Sequence, residues 1–296
     1  MHMLRSWRAL IIREFIEHRI PFLYFPLGIL GLFTLSAASG LAYNRIRLPE
    51  HMQFGAPLKL FEIGYVGLIA VWLAYAAIAL FFYFGDAFSA DRRNNAMLFW
   101  KSMPLSDLKI LSAKFLAGIT LFPFLIFAMA VVSGVLFIVS LNIAPFAFQG
   151  FTAPDALATL TSLGHITVFA IVYLVVALLW YAPLMAWVGG LSAVFGRWSL
   201  PLAFAIPGVL VAMENMIGFG QIPPGGFIWG YLSKRFPFGL SQLDWGLMVA
   251  APIPFDARTY IWLLFRELDW TGLIIGIAFT VVVLWLASQY RRRRIV

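Results

Sequence analysis

The sequence predicts an all-α polytopic membrane protein of six transmembrane helices, with an amphipathic interfacial helix ahead of the first span and re-entrant or outer helices between spans five and six. Three observations carry this. Of 296 residues, 62% are hydrophobic, 17% aromatic and only 11% charged, a balance that no soluble domain of this length keeps. The apolar runs are continuous rather than alternating, which selects helices over barrel strands. Several reach the roughly 20 residues that a helix needs to cross a hydrocarbon core about 30 Å thick. They fall at 21–41, 61–84, 115–141, 164–195, 200–218 and 270–290. No repeat or linker divides the chain, so residues 1–296 read as one membrane domain.

The lead, residues 1–19, places Leu4, Trp7, Ile11 and Phe15 on one helical face and Arg5, Arg8, Arg13, Glu17 and Arg19 around the others. Such a helix lies in the headgroup plane, apolar face down, and enters the first span at Pro21. The basic start and the small residues Ser36 to Gly40 could be mistaken for a secretory signal. The apolar run is longer than the usual 7–15 residues, so it reads as a retained span. A polar island, 86–112, follows the second span; within it Asp91 to Lys101 form a short amphipathic helix, Pro104 ends it, and Ser106 or Asp107 caps the next. The connection at 143–163 is modest. Segment 219–269 is long, rich in Gly, Pro and Trp, and its apolar stretch 243–254 is too short to cross, which suggests a re-entrant or surface-lying helical pair.

Basic residues fix the orientation. With the amino terminus inside, inner segments hold 14 of the 21 Lys and Arg residues: Arg5, Arg8, Arg13, Arg19, Arg92, Arg93, Lys101, Lys109, Lys114, Arg197 and Arg291 to Arg294. Both termini are therefore expected to be cytoplasmic. The formal charge of +8 is topology signal and attraction to anionic membrane lipids, not a nucleic-acid surface. Without cysteine there are no disulfides or thiolate metal sites.

Catalytic chemistry is not written here. No Gly is followed by Lys, so no phosphate-binding loop of the Gly-Lys-Ser/Thr kind exists. His2, His18, His51 and His165 lack partners at metal-ligand spacing, and no His-Glu-x-x-His or Gly-x-Ser-x-Gly occurs, so neither a catalytic nor a metal site is expected. Gly189-Gly190-Leu191-Ser192 sits inside the fourth span and is assigned to helix packing. Glu214, beside Asn215, is the main ionisable group in a span; it either caps or snorkels, or touches a substrate. Such scarcity of buried charge argues against an ion-coupled carrier.

A loop that serves topology alone has no need of Leu98, Phe99, Trp100, Met103, Pro104 and Leu105 in close succession. The run from Asp91 to Asp107, with Lys114 seven residues on, resembles the first cytoplasmic loop of type-2 ABC exporter permeases, in its charged pair, bulky apolar run, Ser-x-Pro-x-Ser and downstream Lys. The span layout is similar as well. The resemblance implies a multi-pass subunit of a bacterial inner membrane that pairs with a second permease copy or relative and with two separate ABC ATPase subunits, which bind the ATP and Mg. This chain itself holds no cofactor. The island would be the coupling helix: Asp91, Arg92, Arg93 and Asn95 as polar contacts, Phe99 and Trp100 as apolar wedge, and Lys101, Ser102, Pro104, Ser106 and Asp107 around the turn.

It also implies a substrate cavity bordered by the first, second and fifth spans, for which Tyr65, Trp72, Tyr75 and Phe82, with Glu214 and Asn215, are the expected lining, suited to a hydrophobic or amphipathic cargo. Ser36-x3-Gly40 and Gly272-x3-Gly276 allow close helix approach, within the chain or across a dimer. A second class stays open: a receptor, immunity factor or scaffold that transports nothing and binds through the outer segment.

Overall fold

The computed structural model describes residues 2–42, 57–93, 106–147, 151–218, 226–236, 238 and 253–293. Among these residues the secondary structure is all helical, with no strand. In chain order the helices are α1 (His2–Glu17), α2 (Phe25–Ala42), α3 (Pro57–Ala87), α4 (Ala90–Arg93), α5 (Asp107–Leu116), α6 (Phe122–Ala147), α7 (Ala156–Phe195), α8 (Ser199–Gly218), α9 (Gly226–Arg235), α10 (Ala257–Glu267) and α11 (Trp270–Arg293).

Among the described residues, five continuous stretches are long and apolar enough to cross a membrane: Ile20–Gly40, Pro57–Ala87, Asp107–Phe146, Ala156–Ile217 and Trp270–Arg293. Large apolar side chains such as Leu32, Val71, Phe204 and Ile274 point outward, a surface that lipid covers better than water. This is compatible with a multi-pass membrane protein. The fourth stretch contains α7, a 3₁₀ turn at Gly196–Trp198, and α8. Trp187 Nε1 donates to Ala203 O at 3.4 Å, whereas sixteen residues of straight helix would part them by about 24 Å. The chain therefore turns back on itself, and Gly196, at φ 58°, takes the left-handed conformation that the reversal needs.

One face of α3, with Phe61, Tyr65, Ile69, Trp72, Ala76, Leu80 and Tyr83 at three- and four-residue spacing, is buried against α6 and α7. Close approach is set by Gly134, whose missing side chain makes room for the Tyr65 ring, and by Gly118, which does so for Phe84. The last helix, α11, lies along the second half of α7, with Val283 over Gly190 and Pro183 beside Gly276.

Two π-helical turns, Ile20–Tyr24 and Ala117–Leu121, join α1 to α2 and α5 to α6. Pro21 lacks an N–H, and the wider turn absorbs that missing donor. The two turns stand side by side, Phe22 stacking on Phe122 at 3.9 Å between ring centroids.

The amphipathic lead differs from its expectation. Trp7 and Leu10 pack on Ile110 and Ala113 of α5, and Ile11 and Phe15 pack on the main core, so the face expected in lipid is held by protein. The exposed apolar stripe is instead Ile12, Ile16 and Ile20. Sequence spacing showed one face where the helix has two; Leu4's side chain lies outside the described residues. Within 219–269 the described residues hold two short helices, α9, which packs along α8, and α10, which packs along α7; most of 243–254 lies outside the described residues.

Candidate functional site

The polar island begins and ends in an ionic frame. Asp91, on α4, is buried, and its two carboxylate oxygens serve different partners. Oδ2 lies 3.0 Å from Arg291 Nη1, and Oδ1 lies 3.3 Å from the Lys114 ammonium. Lys114, itself buried, reaches Glu14 Oε1 of α1 at 3.3 Å and donates to Ala87 O at 3.0 Å. Arg291 extends the frame to Asp107 at the start of α5, with Nε 2.9 Å from Oδ1. The Tyr83 hydroxyl, 2.9 Å from Lys114 O and 3.2 Å from Glu14 Oε2, closes it on the core side.

Four segments distant in sequence thus meet at one point: the lead helix, both ends of the island, and the last turn of α11. Buried ions are tolerated only when paired and hydrogen-bonded, and here carboxylates and cations alternate from Glu14 through Lys114, Asp91 and Arg291 to Asp107. Burial alone would push the Asp91 carboxyl up. Lys114 and Arg291 outweigh it and hold Asp91 below the usual carboxylate value. Outside the frame, Ser106 caps α5 by accepting from Lys109 N at 3.3 Å, and Lys109 Nζ reaches Ser6 Oγ at 2.5 Å beside the Trp7 ring. Among the described residues of the frame each carboxylate faces a cation. The frame ties α4 to α1, α3, α5 and α11 by direct side-chain contacts.

Of the residues singled out in the island, Asp91 and Asp107 are brought together through Arg291, and Ser106 is the cap. The backbone of Arg92 and Arg93 belongs to α4, with side chains outside the described residues, as are Asn95, Phe99, Trp100, Lys101, Ser102 and Pro104. Glu14 was not singled out and Arg291 counted only within the basic run Arg291 to Arg294; the fold shows what each faces.

Ligand atoms of Glu14, Glu17 and His18 lie within 4.8 Å of one another, the spacing of a small cation site. Glu14 already faces Lys114, and Glu17 pairs with Arg13 at 2.8 Å, so their charge is compensated within the protein.

The residues expected to line a cavity are dispersed. Tyr65 is buried, its hydroxyl 2.8 Å from Thr167 Oγ1; Trp72 is buried and donates to Ser133 Oγ at 2.9 Å. Tyr75 donates to Pro21 O at 2.5 Å, and Phe82 faces outward. Glu214 accepts from Phe227 N and Ile228 N, at 2.7 and 2.9 Å, and so caps α9 from the neighbouring helix, while Asn215 bonds back to Val211 O. A buried carboxylate that the sequence reading passed over, Glu62, accepts from Ser162 Oγ at 2.8 Å and Phe255 N at 2.9 Å, and pairs with Lys59 at 2.9 Å. It ties the segment before α10 to the bundle.

Compared with known proteins, the chain matches no family model, no curated protein and no solved structure.

Proposed function

We propose that this chain is the permease subunit of an ATP-driven exporter, with the island between α3 and α5 as the element on which a separate ABC ATPase pushes. The observation that carries the reading is the Arg291 bridge between Asp91 and Asp107, which fastens both ends of the island to the last helix while Lys114 and Glu14 fasten them to the first. A loop whose only task is to connect two spans has no use for a rigid mount. A loop that takes a stroke needs one.

The topology of the proposal has six crossings, the reversal at Gly196 dividing the 156–217 stretch into two. An even number agrees with the lead helix and the end of α11 meeting at one end of the bundle. With the positive-inside rule, that end is cytoplasmic and the membrane is a bacterial inner membrane. A second permease copy or relative completes the pathway, and ATP and Mg are bound by the two ATPase subunits. The transported molecule is hydrophobic or amphipathic.

The test is affinity purification of the tagged chain from its native membrane in mild detergent, followed by mass spectrometry. A stoichiometric ABC ATPase is expected, lost on reversal of Arg92 and Arg93 to Glu with membrane insertion intact. An intact complex with no ATPase would overturn the proposal in favour of a receptor or immunity role.

A further inference from the structure

Pro207 lies inside α8. A proline there has no N–H to give to the carbonyl four residues back, and its ring presses on that carbonyl, so the helix bends. In α8 that carbonyl belongs to Ala203. An acceptor freed in this way within a span is tolerated when a neighbouring helix supplies the donor. Here the donor is Trp187 of α7, whose Nε1 reaches Ala203 O in a long bond of 3.4 Å.

The two sides of the bend are held differently. Before Pro207, the buried Ser199 hydroxyl donates to Gly85 O at 2.6 Å, and the Leu200 side chain fills the space beside Gly85. Leu200 and Ala203 are the α8 side chains packed on the main core among the described residues, and the Phe204 ring meets Phe81 at 5.6 Å. After Pro207, Val209, Leu210, Met213, Met216 and Ile217 all face outward, and a methyl added at Gly208 would meet nothing within 4 Å. The far end of this second half is tied to α9 through Glu214, which accepts from Phe227 N and Ile228 N. The other end of α9 is anchored by Arg235, with its guanidinium carbon 4.2 Å from the centre of the Trp180 ring and Nη1 donating to Gly272 O at 2.8 Å. A helix half with so few buried apolar contacts lies at the low end of local stability, while its first half is fixed.

We propose that α8 is hinged at Pro207 and Gly208, with 199–206 as a fixed root, 208–218 as a moving arm, and the Trp187 indole as the catch that sets the bend by holding Ala203 O. Once the catch is released, the donor within reach of that carbonyl is Gly208 N, five residues on, which closes a π turn like those at Ile20–Tyr24 and Ala117–Leu121 and re-aims the arm. α9 follows the arm through Glu214 and limits its travel from Arg235. The inference rests on α7, α8 and α9 and not on the island, so it stands or falls independently of the transport reading.

The experiment uses the purified full chain in nanodiscs at spin dilution, and the absence of native cysteine allows labels to be placed at will. Pulsed electron paramagnetic resonance reads two distances from Ile143→Cys on α6, one to Met213→Cys on the arm and one to Ala205→Cys on the root. The arm distribution is expected to be broader than that of the root. Trp187→Phe, which keeps a ring but removes the donor, should shift or broaden the arm distance and leave the root distance unchanged, which also reports an intact bundle. Pro207→Ala restores the N–H to Ala203 O, so it should narrow the arm distribution and abolish the effect of Trp187→Phe; Pro207→Leu restores the same donor and decides the matter if Pro207→Ala does not assemble. An arm no broader than the root, an arm distribution unmoved when Pro207 is replaced, or an effect of Trp187→Phe that persists without Pro207 would overturn the proposal, the last by showing that the indole acts through packing alone.

Discussion

Arg291 and Asp91 stand 200 residues apart in sequence and 3.0 Å apart in the fold, both buried, with a carboxylate oxygen of Asp107 2.9 Å from the same guanidinium. One cation therefore holds the entry and the exit of the island.

Removing the charge of Asp91 leaves Lys114 and Arg291 buried beside each other without their shared anion. Asp91→Asn is expected to destabilise by about 3–5 kcal/mol, the range for breaking one partner of a buried pair. Thermal unfolding followed by size-exclusion fluorescence measures it. In the double variant with Arg291→Gln part of the loss should return, since the orphaned cation is gone; strictly additive losses would show that the pair is not coupled.

Because the Asp91 carboxyl sits below its ordinary value of 3.8, the folded state binds that proton less readily than the unfolded chain does. Its stabilising contribution is complete above that value and is lost as pH falls through the lower, folded one. Stability should be level from neutral pH to about 5 and drop below about 4, and Asp91→Asn should flatten that drop. A drop centred near 6 would point to another group.

Glu62 pins Phe255 N and Ser162 at the opposite end of α3. Glu62→Ala, which strands these donors, should cost about 1–3 kcal/mol and free the segment before α10. With no native cysteine, Asp256→Cys can be labelled directly. Its reaction with a soluble maleimide should quicken in the Glu62→Ala background and not in Ser199→Ala, whose hydroxyl bonds Gly85 O at the other end.

Gly134→Ala would put a methyl 2.3 Å from Tyr65 Cε2, a ring fixed by its own burial. Overpacking there should cost about 1–3 kcal/mol, whereas Gly67→Ala, which meets nothing within 4 Å, should be neutral or slightly stabilising. Denaturation midpoints of the two variants check the contrast.

Hydropathy made the long helices legible because burial in lipid demands unbroken apolar length, a property of contiguous residues. Ser106 was readable as a cap for the same reason, its bond to Lys109 N being local. Pairings were not. Glu14 with Lys114, Asp91 with Arg291 and Glu62 with Phe255 each join distant segments, and no spacing rule marks which charge on a face will meet which. Glu62 fell inside an expected span, where an isolated carboxylate reads as a nuisance at a membrane edge rather than a clasp. Arg235 was one basic residue in a Gly- and Trp-rich stretch until the fold laid it on Trp180. The lead helix had a second apolar stripe, Ile12, Ile16 and Ile20, that spacing alone could not rank against the first.

A chain is synthesised from the amino end, so a contact between distant segments forms only after the later one has been made. Asp91 and Asp107 are made long before their shared cation, which comes only with residue 291. Until then the island has Lys114 and Glu14 on one side and no clamp on the other. Without the last helix, Asp91 and Asp107 have no common partner, so the geometry of the island depends on a segment that lies far from it in sequence.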